Sequence, residues 1–149
     1  MKKVLVSSCL LGNAVRYDGC HKAISHSLLF QWQKEGRIVA ICPEVAGGLP
    51  IPRSPAEIID ARVVDCTGED VTNAFDLGAQ LALKLCQQHD ISVAILKESS
   101  PSCGSSHVYD GNFSGTTVSG EGVTTKLLRQ HGVSVFNESQ LEQAAACLR

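Results

Sequence analysis

The 149-residue chain has no excess of positive charge: 13 lysines and arginines face 15 aspartates and glutamates, for a formal net charge of −2. With no basic surplus, nothing in the overall charge drives non-specific attraction to a nucleic-acid backbone. Long hydrophobic runs are also missing. The opening segment has only Val4-Leu5-Val6 between Lys3 and Ser7, too short for the apolar core of an export signal. No stretch approaches the roughly 18 apolar residues that a bilayer-crossing helix needs. Repeats, low-complexity tracts and flexible linkers are absent, so one domain over residues 1–149 is expected, in the cytoplasm and not at a membrane. No C-x-x-C pair occurs, although such pairs are usual in structural zinc sites.

Cysteine, by contrast, is plentiful. Seven are present, an odd number at irregular spacing, which does not suit a disulfide framework. In a reducing compartment such thiols serve metals or catalysis more often than cross-links.

Hydrophobic periodicity supplies the elements. Lys3 to Val6 reads as a short buried strand, and Ile24 to Lys34 as a helix stopped near Gly36. Val39-Ala40-Ile41, led by Arg37 and Ile38, is a second strand, and Ile58 to Val64 a third. Asp70 suits the N-cap of a helix from Val71 to His89, whose apolar face carries Phe75, Ala79, Ala82, Leu85 and Cys86. Val93 to Leu96 is a strand. Gly122 opens a helix that Gly132 ends, and Val133 to Phe136 is the last strand. Ser139 and Glu142 have capping-box spacing before a C-terminal helix. Short, nearly continuous apolar strands separated by helices predict an α/β fold: Rossmann-like, with a mainly parallel sheet and helices on both faces.

That fold makes a statement about the cysteines. In open α/β sheets, ligands gather beyond the carboxyl ends of the strands. Cys9 follows the first strand, Cys42 the second, and Cys103 lies in the loop after the strand ending at Leu96. Three thiols are thus expected at one sheet edge; small buried turn residues are the plain alternative. Cys86 and Cys147 fall on apolar helix faces and read as packing, whereas Cys20 and Cys66 are competing ligands. His21, His26, His89, His107 and His131 show no metal-ligand spacing to a cysteine. Thiolates suit zinc or iron–sulfur centres, and three of them leave one metal position open. A cysteine-nucleophile enzyme and a non-catalytic metal-binding module are the rival readings.

A set of motifs then narrows the field: Ser7-Ser8-Cys9-Leu10-Leu11-Gly12, Arg16-Tyr17-Asp18-Gly19, Cys42-Pro43-Glu44 with Gly47-Gly48-Leu49, Pro52 to Glu57, Ser100-Pro101-Ser102-Cys103-Gly104, and Gly120 to Thr124. In this order, over essentially the whole chain, they resemble the TudS-type thiouracil desulfidases. The resemblance implies a [4Fe–4S] cluster held by Cys9, Cys42 and Cys103, with one iron not bound by protein. It also implies non-redox removal of sulfur from a small thiolated pyrimidine (base, nucleoside or nucleotide), giving the oxo-pyrimidine and hydrogen sulfide. The family's assisting glutamate and serine fall on Glu44 and Ser100. Arg16, Asp18 and Arg53 are further substrate-binding candidates, though Arg53 to Glu57 also reads as an ion pair bracing a proline-rich loop. The amides opening the helix at Gly120 to Thr124 are able to receive a phosphate, or else those glycines serve packing.

Overall fold

Val4, Leu5 and Val6 have no exposed surface at all, which is the situation of a central strand covered on both faces. A computed structural model describes residues 1–148 and builds the chain around that strand. In chain order the elements are β1 (Val4–Ser7), a turn of 3-10 helix (Ser8–Leu11), α1 (Ser27–Lys34), β2 (Ile38–Ile41), α2 (Pro43–Ala46), β3 (Ala56–Ile59), β4 (Arg62–Asp65), α3 (Thr72–His89), β5 (Val93–Ile95), β6 (His107–Tyr109), β7 (Thr117–Ser119), α4 (Val123–Gln130), β8 (Ser134–Phe136) and α5 (Leu141–Cys147).

The main sheet has the order β2-β1-β5-β8, and every pairing in it is parallel. Its period-two alternation feeds two cores. Leu5, Ala94, Leu96 and Val135 meet Ala82, Leu83 and Cys86 of α3 and Leu128 of α4. On the other face Val4, Val6, Val93 and Ile95 meet Leu29 and Trp32 of α1 and Leu141 and Ala144 of α5. Each such aliphatic side chain contributes about 1.5–3 kcal/mol on burial. The expected α/β architecture is therefore present, with helices on both faces. From β1 the chain moves outward to β2 and later returns to place β5 on the opposite side of β1. The connections diverge at that point, which opens a crevice at the carboxyl ends of β1 and β5.

Several pieces of local structure differ from the sequence expectation. Ile58 to Val64 is not a third strand of the main sheet. Asp60 and Ala61 adopt positive φ angles of 49° and 66°, and the segment folds into the antiparallel hairpin β3–β4, with Ile59 opposite Arg62. A two-residue turn of this kind usually advertises itself with Asn-Gly or Asp-Gly; Asp-Ala does not. The capping box at Ser139 and Glu142 is also not formed, because the N-cap is Gln140 and the Ser139 amide donates to Asn137 Oδ1 at 2.8 Å. The first helix begins at Ser27, three residues later than expected, where His26 Nδ1 accepts the Leu28 amide at 3.1 Å.

One close approach fixes the second crossover. A Cβ on Gly78 of α3 would drive into the Pro43 carbonyl, and one on Gly47 into the Ala74 carbonyl. The two glycines let α2 lie backbone to backbone on α3, which seats Cys42 and Glu44 at the sheet edge.

Candidate active site

Each of the three strand-end cysteines arrives by a different local device. Cys9 lies in the 3-10 turn that follows β1 without a gap, and is buried. Cys42 is the N-cap residue of α2, directly beyond β2, and is half-buried; its thiol points at the Val15 carbonyl, 3.8 Å away. Cys103 is buried in the loop after β5. That loop is clamped by the start of α4: Thr125 Oγ1 donates to the Cys103 carbonyl at 2.9 Å, and the Ser102 and Thr124 hydroxyls lie 2.7 Å apart. The amides of Gly122, Val123 and Thr124 donate to the carbonyls of Gly104, Pro101 and Ser102. They are thereby spent on the cysteine loop and are not free for a phosphate. Gly122 is there for packing, since a Cβ would strike the Ser102 carbonyl.

All three thiols, with Glu44 and Ser100, line one cavity of about 310 Å³, at the lower end of the range for small-molecule sites. Burial, then the neighbouring Cys42, pushes the Cys9 thiol up to about 11, while Lys97 and Arg16 partly offset this. Burial pushes Cys103 up to about 12, against the Ser7 hydroxyl beside it. Cys42 is raised as well, again chiefly by burial. A cysteine nucleophile needs the opposite shift. Thiols this costly to ionise alone suit a metal centre, whose positive charge deprotonates a coordinating thiol outright. Among the described residues, no group of three or more His, Cys, Asp or Glu gathers tightly enough to hold a single metal ion. The three thiols line one cavity, and thiolates are a donor set that suits an iron–sulfur centre.

Glu44 stands two residues beyond Cys42, in the single turn of α2. Arg53, whose side chain is 6% exposed, donates from Nε to Glu44 Oε1 at 3.2 Å. Its Nη1 and Nη2 bind the carbonyls of Pro50 and Val15 at 3.1 and 3.0 Å. Of the two readings of Arg53, an ion pair with Glu57 is not made. Glu57 is occupied with the amides of Gly111 and Phe113, at 2.9 and 3.2 Å. Ser100 Oγ accepts the amides of Ser102 and Cys103 at 3.1 and 3.2 Å. With its lone pairs so occupied, its proton turns toward Glu44 Oε2, 3.5 Å away.

Arg16 lines the cavity and is paired with Asp18 at 3.4 Å. Cys20, Cys66, Cys86 and Cys147 are absent from the cavity wall, as are all five histidines. Lys97 and Glu98 do line it and were missed in the sequence, although they follow β5 directly and the strand-end rule points to them. Lys97 Nζ lies 3.2 Å from Glu138 Oε2. Tyr109 lines the cavity as well, and no sequence pattern points to it, because the small hairpin β6–β7 that carries it shows no periodic signal.

The family model described as 2-thiouracil desulfurase matches residues 4–140. An uncharacterised protein of Bacillus subtilis (strain 168), YbbK, is 43% identical over 148 residues, covering 93% of this chain and 97% of its own. The solved structure of a [4Fe–4S]-dependent thiouracil desulfidase, TudS, is 54% identical with a TM-score of 0.98, covering 99% of this chain and 98% of that one. Of the described residues, no helix is long and apolar enough to cross a membrane. The chain belongs to the 2-thiouracil desulfurase family.

Proposed function

We propose that residues 1–149 act as one cytoplasmic desulfidase domain, which replaces the sulfur of a thiouracil-type pyrimidine by oxygen from water and releases hydrogen sulfide. The observation that carries this is the meeting of three strand-end thiols with the Arg53–Glu44–Ser100 chain in one cavity. Seven free thiols in the chain suit a reducing compartment.

Cys9, Cys42 and Cys103 would hold a [4Fe–4S] cluster, and three protein thiols for four irons leave one iron without a protein ligand. When bound, the cluster supplies a Lewis acid for a soft thiocarbonyl sulfur. Everything else falls to the chain. The overall change, C=S plus H₂O to C=O plus H₂S, needs a proton taken from water and protons delivered to the departing sulfur. Glu44 is the general base and then the general acid, a role worth about 10²–10⁴ in rate. Arg53 fixes Oε1 of that carboxylate, so Oε2 is the oxygen that faces the cavity beside Ser100. Ser100 orients the water or the ring edge through the hydroxyl that its two amide donors hold in place.

Anaerobic reconstitution tests the reading. Metal analysis is expected to give about four iron and four acid-labile sulfide per chain, with a reduced-cluster spectrum that changes when 2-thiouracil is added. Glu44→Gln is expected to keep the iron and lower sulfide release about 10²-fold or more. Tight binding of one zinc in place of iron, or full turnover by Glu44→Gln, would refute it.

A further inference from the structure

The chain has two tyrosines in all, and both line the cavity that holds Glu44, Ser100 and the three thiols. They come from unrelated segments: Tyr17 from the stretch before α1, Tyr109 from the end of β6. Neither is well covered. Tyr17 is 39% and Tyr109 37% exposed, although both belong to a cavity wall. Aromatic rings of this size gain from burial, so two uncovered ones in a cavity wall point to a ligand that covers them.

The segments that carry them are also held in place. The Arg16 guanidinium carbon lies 5.6 Å from the Tyr17 ring centroid, and Asp18 braces Arg16 at 3.4 Å. The Tyr17 carbonyl accepts the Arg53 amide at 2.7 Å, tying the aromatic to the residue that fixes Glu44. Tyr109 sits opposite Thr117 in the β6–β7 ladder. The buried Glu57 anchors the turn of that hairpin through the Gly111 and Phe113 amides. Preorganised walls of this kind lower the ordering cost of binding.

Resting on the desulfidase reading, we infer that Tyr17 and Tyr109 determine substrate specificity by stacking on the planar pyrimidine ring, with its thiocarbonyl end toward Glu44, Ser100 and the thiols. Stacking reads planarity and tolerates changes at the ring edge, because every base has a π face. The pair therefore selects an unsaturated, flat heterocycle over a puckered one with the same hydrogen-bonding groups.

Uracil and 5,6-dihydrouracil are that matched pair, and calorimetric titration of each into the reconstituted holoenzyme needs no turnover. The wild type is expected to bind uracil more tightly. Tyr17→Leu and Tyr109→Leu, which keep apolar bulk but remove the π face, are expected to weaken uracil by about 5- to 150-fold each. Dihydrouracil binding should change by about twofold or less, and Tyr→Phe should restore the preference. In turnover the Leu variants should raise KM for 2-thiouracil and leave kcat nearly unchanged. Iron content per chain, unchanged from wild type, verifies that each variant is folded and loaded. Equal affinity of the wild type for the two probes, or Leu variants with wild-type uracil affinity, would overturn the inference. Failure of the wild type to release sulfide from 2-thiouracil would sink the desulfidase reading instead, and the binding ratios would still decide the stacking.

Discussion

Replacing Glu98 by glutamine tests whether a single charge organises the loop that carries Cys103. Its carboxylate accepts seven hydrogen bonds. Oε1 takes the amides of Ser99, Ser105, Ser106 and His107, and Oε2 takes both serine hydroxyls and Asn137 Nδ2. Burial opposes ionisation, but the hydroxyl and amide of Ser106, the His107 amide and Asn137 outweigh it and hold Glu98 far below the usual carboxylate range. Glutamine keeps one carbonyl oxygen for the four amides without the charge, and sets its amino group against Asn137. A hydrogen bond to a charged group contributes about 1.5–3 kcal/mol, a neutral one about 1. The sum is screened because the side chain is partly exposed, which leaves a loss of about 2–3 kcal/mol. For a chain of this length that lowers Tm by about 5–10 °C. The pH dependence has a definite sign. A carboxylate with a depressed folded-state pKa stabilises the fold above its unfolded pKa, about 4.3, and that contribution is lost as pH falls toward the folded value. Thermal and urea unfolding of the reduced, cluster-free protein should therefore show the full gap between wild type and Glu98→Gln at pH 7, a gap that starts to narrow below about pH 4 and is clearly smaller near about pH 2.5. An equal gap at both pH values, or none at pH 7, would refute the reasoning.

Three further outcomes follow from the same geometry. Arg53→Met frees the Glu44 carboxylate, and sulfide release should fall about 10-fold or more at unchanged iron content, as expected when a positioned acid–base group is loosened. Gly78→Ala inserts a methyl against the Pro43 carbonyl; such overpacking costs about 1–3 kcal/mol, to be read as a Tm lowered by about 3–10 °C. Serine substitution at Cys9, Cys42 or Cys103 should each reduce bound iron sharply. The same change at the exposed Cys20, Cys66 or Cys147 should leave bound iron at the wild-type level, as iron analysis after reconstitution will show.

The parts of this molecule that were legible in the sequence are those set by hydrophobic period and strand-end logic. Val4–Val6, Val93–Leu96 and the Phe75–Cys86 stripe announce buried strands and an amphipathic helix, because their apolar positions face a core on every turn or on both sheet faces. Once the strands are in place, Cys9, Cys42 and Cys103 fall where parallel sheets present their ligands. What stayed hidden depends on contacts between distant segments. That Arg53 pairs with Glu44 and not with the nearer Glu57 is decided by where the β6–β7 hairpin delivers its amides. The Asp60-Ala61 turn lacks the glycine or asparagine that usually marks such a reversal. Lys97 and Glu98 look like ordinary loop charges until Glu138 and the 105–107 amides are seen around them.

In the proposed reaction water replaces sulfur in the cavity lined by Cys9, Cys42 and Cys103. The most direct measurement is anaerobic turnover of 2-thiouracil in ¹⁸O-labelled water, following sulfide and uracil together. The reconstituted wild type should release sulfide and uracil in equal amounts, each uracil carrying one oxygen from the solvent, and Cys42→Ser should release neither. A fully loaded wild type that yields no sulfide, or uracil without solvent oxygen, would contradict it.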